Sequence, residues 1–158
     1  MSGQVLATIH ASPGRRWLGV ISMGFLGFVL LWIAFSTPPS LGWQAFLLAM
    51  GGAALWLATR MYQATSHRIE LTEEGLHDSS GVLIAAFDDI QSMDRGFFAF
   101  KPSNGFLLKT KSPGTRTWRP GLWWRMGKRI GIGGVTPGHQ SKAMAEIIAI
   151  RLAQREMG

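Results

Sequence analysis

The run RPGLWWRMGKRIGIGGVTPG at positions 119–138 sets cations, tryptophans and glycines side by side. These residue types cradle phosphates or meet charged surfaces. A G-x-x-x-x-G-K-[ST] loop needs its lysine to reach the phosphates and its hydroxyl to hold magnesium. Gly133 and Gly138 have the glycine spacing, but His139 and Gln140 follow, Lys142 comes too late, and Pro137 removes an amide donor. The dinucleotide fingerprint also fails, because with Gly131 and Gly133 as its first glycines the third position is Thr136. Gly131, Gly133 and Gly134 fit better as a place where a strand bends away and a helix packs closely.

Other chemistry is thin. His10, His67, His77 and His139 are isolated in sequence. His67 and His77 can approach each other across paired strands, but two ligands without a third make no zinc site. Asp88 and Asp89 would point to opposite faces of a strand, which favours a turn or solvent role over acid–base work. The chain has no cysteine, so disulfides, thiolate nucleophiles and Cys-based metal sites are excluded. No nucleophile, base and orienting group assemble, so the expectation is a non-catalytic protein with no cofactor and no metal.

What remains is charge. Arg116, Arg119, Arg125, Lys128 and Arg129 are interleaved with Trp118, Trp123 and Trp124. We take Arg116, Arg119, Trp123, Trp124, Arg125, Lys128 and Arg129 as the candidate lipid- or partner-binding residues. Beside a bilayer, each cation contributes about 1 kcal/mol toward anionic headgroups, and tryptophan suits the interface. Arg and exposed aromatics also anchor protein partners. A solvated basic face over a core that holds the tryptophans is the bland reading, and the sequence leaves all three open. No recognition motif for nucleic acid accompanies the charge.

The elements that must position this patch begin with two apolar runs, residues 17–35 and 41–59, each without a charge. About 20 apolar helical residues cross a hydrocarbon core, so two membrane spans are expected. The first run is longer than a signal peptide's apolar region and is followed at once by the second. Arg15 and Arg16 precede the pair, Arg60 and Arg68 follow it, and the STPPS connection at 36–40 has no Lys or Arg. The positive-inside rule then places both termini in the cytoplasm. Trp17 and Trp56 mark the inner ends and Trp32 and Trp43 the outer ends, as an aromatic belt does. Neither span holds an ionisable residue, which argues against an ion pathway. Ala45, Ala49 and Ala53 form a small-residue stripe, with Gly24 and Gly27 on the facing helix; packing of the two spans on each other is preferred over packing on a foreign helix.

Three segments result: a cytoplasmic N-terminal segment at 1–16, a two-helix hairpin at 17–61, and a cytoplasmic domain at 62–158. The domain is acidic up to Asp94 and carries ten cations and no acid over 95–142. Alternation and turn residues predict about seven short strands, at 67–72, 76–79, 82–87, 97–100, 106–111, 115–119 and 128–132, with Ser112-Pro113-Gly114 as a turn. Thr136 then caps a helix with Pro137 at its first position. Met144, Ile147, Ile148 and Leu152 recur at helical spacing, with Ala143 and Ile150 beside them.

The run HRIELTEEGLHDSSGVLIAAFDDI and the GIGGV-to-helix ending, behind two spans, resemble the bacterial pleckstrin-homology-like (PH-like) small integral membrane proteins. The resemblance implies an α+β fold: a transmembrane hairpin, then a seven-stranded antiparallel β-sandwich or barrel capped by a C-terminal α-helix. It implies a binding or scaffolding module of the bacterial inner membrane rather than an enzyme. The expected partner is another membrane protein, or a second copy, with the chain as accessory subunit or assembly factor. Anionic lipid bound by the patch at 116–129 is the alternative.

Overall fold

The first strand lies upstream of the first apolar run. The computed structural model describes residues 4–37, 40–95 and 104–157. Strand β1 (Ala7–His10) leads into helices α1 (Pro13–Ser36) and α2 (Leu41–Thr65), and the chain then returns as β2 (Arg68–Leu71), β3 (Gly75–Asp78) and β4 (Leu83–Ala86). A 3-10 turn at Phe87–Asp89 precedes β5 (Ile90–Asp94), the long strands β6 (Phe106–Arg119) and β7 (Trp123–Ile132), and helix α3 (Gly138–Met157). The fold is α+β, with antiparallel sheets ordered β1-β2-β3-β4 and β5-β6-β7.

The N-terminal segment is therefore not a separate tail. β1 pairs antiparallel with β2, setting Ile9 opposite Ile69 and Ala7 opposite Leu71. Alternation sends Ile9, Ile69, Leu71 and Leu76 into one core with Ile90, Phe106, Leu108, Ile130 and Ile132 of the second sheet. Met144, Ala145 and Ile148 of α3 close that core. Ala143 and Ile150, expected beside the apolar stripe, face outward. Among the described residues, 62–158 contributes six strands, and the remaining one is β1.

Three local expectations change. Ser112-Pro113-Gly114 is not a turn: β6 runs through it with register shifts, and Asp89 Oδ1 accepts from the Ser112 N–H (3.1 Å) and hydroxyl (2.8 Å). A strand tolerates proline at such an irregularity because no ladder N–H is needed there. β7 starts at Trp123 rather than at Lys128. Helix α3 starts at Gly138, and the Thr136 hydroxyl meets Ser141 Oγ (3.4 Å) and Asn104 O (3.5 Å) instead of capping a backbone N–H. The strand expected at 97–100 lies outside the described residues.

Both apolar helices are long and apolar enough to cross a membrane, and little of either is covered by the rest of the chain (11% and 17% of the most apolar stretch). A soluble core helix would be mostly buried. Trp17, Trp32, Trp43 and Trp56 all stand exposed, two near each end of the pair. The helices pack on each other through Gly27, Ala34, Gly51, Ala54 and Ala58. Ala45, Ala49 and Ala53 lie on the opposite, exposed side of α2, and Gly24 has no neighbour that a Cβ would touch. A Cβ on Gly51 would stand 2.9 Å from Leu31 Cγ and 3.2 Å from Gly27 O. Gly51→Leu is thus expected to force the helices apart at about 1–3 kcal/mol. Ala49→Leu should stay within about 0.5 kcal/mol. Thermal unfolding of the purified protein in detergent distinguishes the two.

At their domain ends the helices are tied to the sheets. Arg15 Nη1 donates to Thr136 O (3.0 Å), and the Ser12 N–H to Val135 O (2.8 Å). Arg16 bridges both helices: Nε donates to Thr65 Oγ1 (2.9 Å), Nη2 to Tyr62 O (3.2 Å), and its guanidinium lies 4.5 Å from the Tyr62 ring centroid. The glycine-rich loop packs backbone on backbone here, because a Cβ on Gly134 (φ +141) would meet the Gly121 carbonyl at 2.6 Å. Gly131 and Gly134 thus serve close packing, against the Trp124 ring and the Gly121 backbone.

Candidate interaction surface of the long hairpin

Strands β6 and β7 form the hairpin that carries the cations and tryptophans, and period-two alternation divides these residues between two faces. Trp123 faces inward. It is 2% exposed, and its indole Nε1 donates to Asp78 Oδ2 at 3.0 Å. Asp78 is itself buried and also accepts the Ser80 N–H at 2.9 Å. Trp123 is therefore a core residue, not a surface anchor.

Arg125 is likewise spent within the fold. Its Nη1 donates to Ile84 O (2.8 Å) in the first sheet, and Nη2 to Ser112 O (3.2 Å) and Thr110 Oγ1 (3.3 Å) in the second. Gly114 admits this side chain, since any Cβ there would overlap the guanidinium. Arg125 stitches the sheets together. Arg125→Met should cost at least about 2 kcal/mol, because charge-assisted bonds are lost and buried acceptors are left bare. Lys128→Glu with Arg129→Glu should change stability by less than about 1 kcal/mol, these side chains being exposed. Chemical denaturation of the three proteins checks both statements.

The other face gathers the remaining residues. Trp118 lies opposite Trp124 across the hairpin. With Arg116, Thr117 and Met126 they line an open hollow of about 450 Å³. Trp118 is 47% and Met126 50% exposed, an unusual concentration of apolar surface among cations. The Trp124 ring lies over Gly131, where a Cβ would overlap it. Lys128 and Arg129 are exposed elsewhere on the strand, with Arg129 opposite Lys109. Like charges directly opposed weaken a strand pair, so an anionic surface would relieve this one.

Two residues join the surface from α2. The Trp56 and Trp118 ring centroids are 6.3 Å apart, and the Arg60 guanidinium lies 5.8 Å from the centroid of Trp56. Arg60 and Trp56 are one turn apart, which stacks them on one helix face. Among the described residues, Arg60 Nε and Arg119 Nε are the buried side-chain nitrogens or oxygens with no hydrogen-bond partner. Of the seven sequence-derived candidates, then, Arg116 and Trp124 share the hollow, while Lys128 and Arg129 are exposed apart from it. Arg119 is half-buried with its Nε orphaned, Trp123 is internal, and Arg125 is half-buried with its guanidinium bonded within the fold. The seven leave out Trp118, Thr117 and Met126, which line the hollow, and Trp56 and Arg60 of α2. Alternation counted from Trp124 would have found Met126.

His67 Nδ1 stands 3.3 Å from Ser79 Oγ and 3.7 Å from Asp78 Oδ1, while His77 pairs across the strands with Glu70. Among the described residues no three His, Asp or Glu side chains group closely enough to hold a metal ion. Compared with protein-family models, with characterised proteins and with solved structures, the chain matches none.

Proposed function

We propose that this chain is a non-catalytic protein of the bacterial inner membrane. In this reading α1 and α2 cross the bilayer, and a PH-like domain on the cytoplasmic face binds another membrane protein, the chain serving as accessory subunit or assembly factor. Support for the PH-like reading is the strand order: antiparallel sheets of four and three consecutive strands, closed by a C-terminal helix. The helix pair is inserted between the first two strands, so both ends of the chain belong on one side of the bilayer. Arg15, Arg16, Arg60 and Arg68 gather at the domain end of the helices, which favours the cytoplasmic side.

The observation that carries the partner reading is the outer face of α2. The seam with α1 uses Gly51, Ala54 and Ala58, yet Ala45, Ala49, Gly52 and Ala53 lie exposed on the other side. In lipid, helices associate by close packing of small residues, and this face permits it without disturbing the hairpin. A photo-crosslinking residue at position 49 tests it in intact membranes. A discrete adduct with one membrane protein, lost in Ala53→Phe, is expected. An adduct at twice the chain's mass makes the partner a second copy. Adducts with lipid alone would defeat the reading.

A further inference from the structure

The hollow at Trp118 lies at a definite height along α2. About 20 helical residues span a hydrocarbon core, so a span counted from Leu41 ends at Arg60. Trp56, one turn earlier, is then at the inner boundary, where the amphipathic indole is favoured. Trp118 touches Trp56 from the domain side, which brings the hollow to the same level. Its lining changes character with it: Trp118, Trp124 and Met126 are apolar, and Arg116 is a cation.

The cations here want an acceptor. Arg60 keeps a buried Nε without one among the described residues, and a buried donor left bare is unfavourable. The ion pairs found among the described residues, Arg68–Glu70 and His67–Asp78, involve neither Arg60 nor Arg116. No acid occurs between Arg95 and Lys142, so the hairpin carries no carboxylate of its own. A planar guanidinium matches phosphate oxygens, and cations near a phosphate disfavour a headgroup that carries its own positive charge.

Resting on the membrane reading above, we propose that the hollow holds an anionic glycerophospholipid of the facing leaflet. Its phosphate lies at Arg116, in the hollow whose Trp118 meets Trp56 and, through it, Arg60, and its glycerol and first acyl carbons lie on Trp118 and Met126. The charge selects the anionic headgroup, and the indole and thioether take the part of the lipid that enters the hydrocarbon. Trp56 keeps its place as the contact between helix and hairpin, so the bound lipid sits against α2 and not beneath the domain.

The test uses the full chain in detergent, titrated with mixed micelles of brominated phosphatidylglycerol or brominated phosphatidylcholine. Bromine quenches indoles in contact with it, and the Trp118 signal is read as the difference between wild type and Trp118→Phe. Two cations at about 1 kcal/mol each predict half-quenching at a phosphatidylglycerol level about thirtyfold below that of phosphatidylcholine. Arg60→Gln with Arg116→Gln should bring the two lipids within about twofold of each other. An unchanged melting temperature establishes that this double variant is folded, and Arg116→Lys, which keeps the charge, should retain most of the preference. Equal quenching of the wild type by both lipids overturns the site. So does a preference that survives in the folded double variant. Extraction of membranes with alkaline carbonate separates the two levels: a chain that washes off sinks the membrane reading, whereas an integral chain without lipid preference sinks the lipid site alone.

Discussion

Ile9→Asp is expected to unfold the β domain, although its partner in β2, Ile69, lies 60 positions and two apolar helices further along the chain. Ile9 is fully buried against Ile69 and Leu71 in the common core. Truncating such a side chain to alanine costs about 2–5 kcal/mol. Aspartate adds an unpaired charge in an apolar core, with a further penalty of several kcal/mol. Domains of this size have a total stability of about 5–15 kcal/mol, so the sum consumes most or all of it. Ile9→Val, which keeps the shape, should cost only about 0.5–1.5 kcal/mol. Far-UV circular dichroism and limited proteolysis of the full chain in detergent read the difference. A fragment of residues 62–158 should also fail to fold, because it exposes the unpaired edge of β2 and one wall of the core. A cooperative melt of Ile9→Asp near the wild-type temperature would show that β1 is dispensable.

The same strand shows where sequence reasoning ran out. The apolar runs at 17–35 and 41–59 are continuous chemical signals and became α1 and α2, each longer by several residues at the domain end. The strands expected at 67–72 and 76–79 became β2 (Arg68–Leu71) and β3 (Gly75–Asp78), since strand pairs joined by a tight turn declare themselves locally. β1 has only four residues, ATIH, and no turn links it to β2, so its pairing is decided by long-range packing alone. Proline and glycine in Ser112-Pro113-Gly114 read as a turn because local propensity takes no account of Asp89, which satisfies the Ser112 N–H, or of Arg125, which fills the space over Gly114.

The candidate site was legible as a neighbourhood but not as a surface. Composition located the cations and tryptophans between 116 and 129. Which of them face out depends on the strand phase, and a register shift near Gly114 and Gly127 breaks that phase. Trp123 and Trp124 are adjacent and therefore opposed, one in the core and one in the hollow. The placement of Trp17, Trp32, Trp43 and Trp56 near helix ends, by contrast, needed only position along a helix, and all four are exposed. The contact of Trp56 with Trp118 unites the two sets, and no periodicity within either segment announces it.

Trp123→Ala is expected to be the most damaging single truncation in the hairpin. Removing a buried indole costs about 3–5 kcal/mol from transfer and cavity terms. It also leaves Asp78 Oδ2 without its donor inside the core, where an unsatisfied charged acceptor adds more. Trp123→Phe separates these contributions: it keeps most of the packing and loses the indole N–H, for about 1.5–3 kcal/mol. Asp78→Asn keeps one acceptor oxygen for two donors, so either the Ser80 N–H or the Trp123 indole N–H then faces an amide N–H, and it should cost at least as much as Trp123→Phe. If the pair acts as a unit, Trp123→Phe and Asp78→Ala will be non-additive by about 1 kcal/mol or more in denaturation measurements. Strict additivity would mean that the 3.0 Å contact carries no energy of its own. Either outcome fixes how binding data on this hairpin are to be read. Loss of ligand in Trp123 or Arg125 variants reflects a broken link between sheets, so Arg116, Trp118 and Met126 are the positions at which a binding defect speaks for the surface itself.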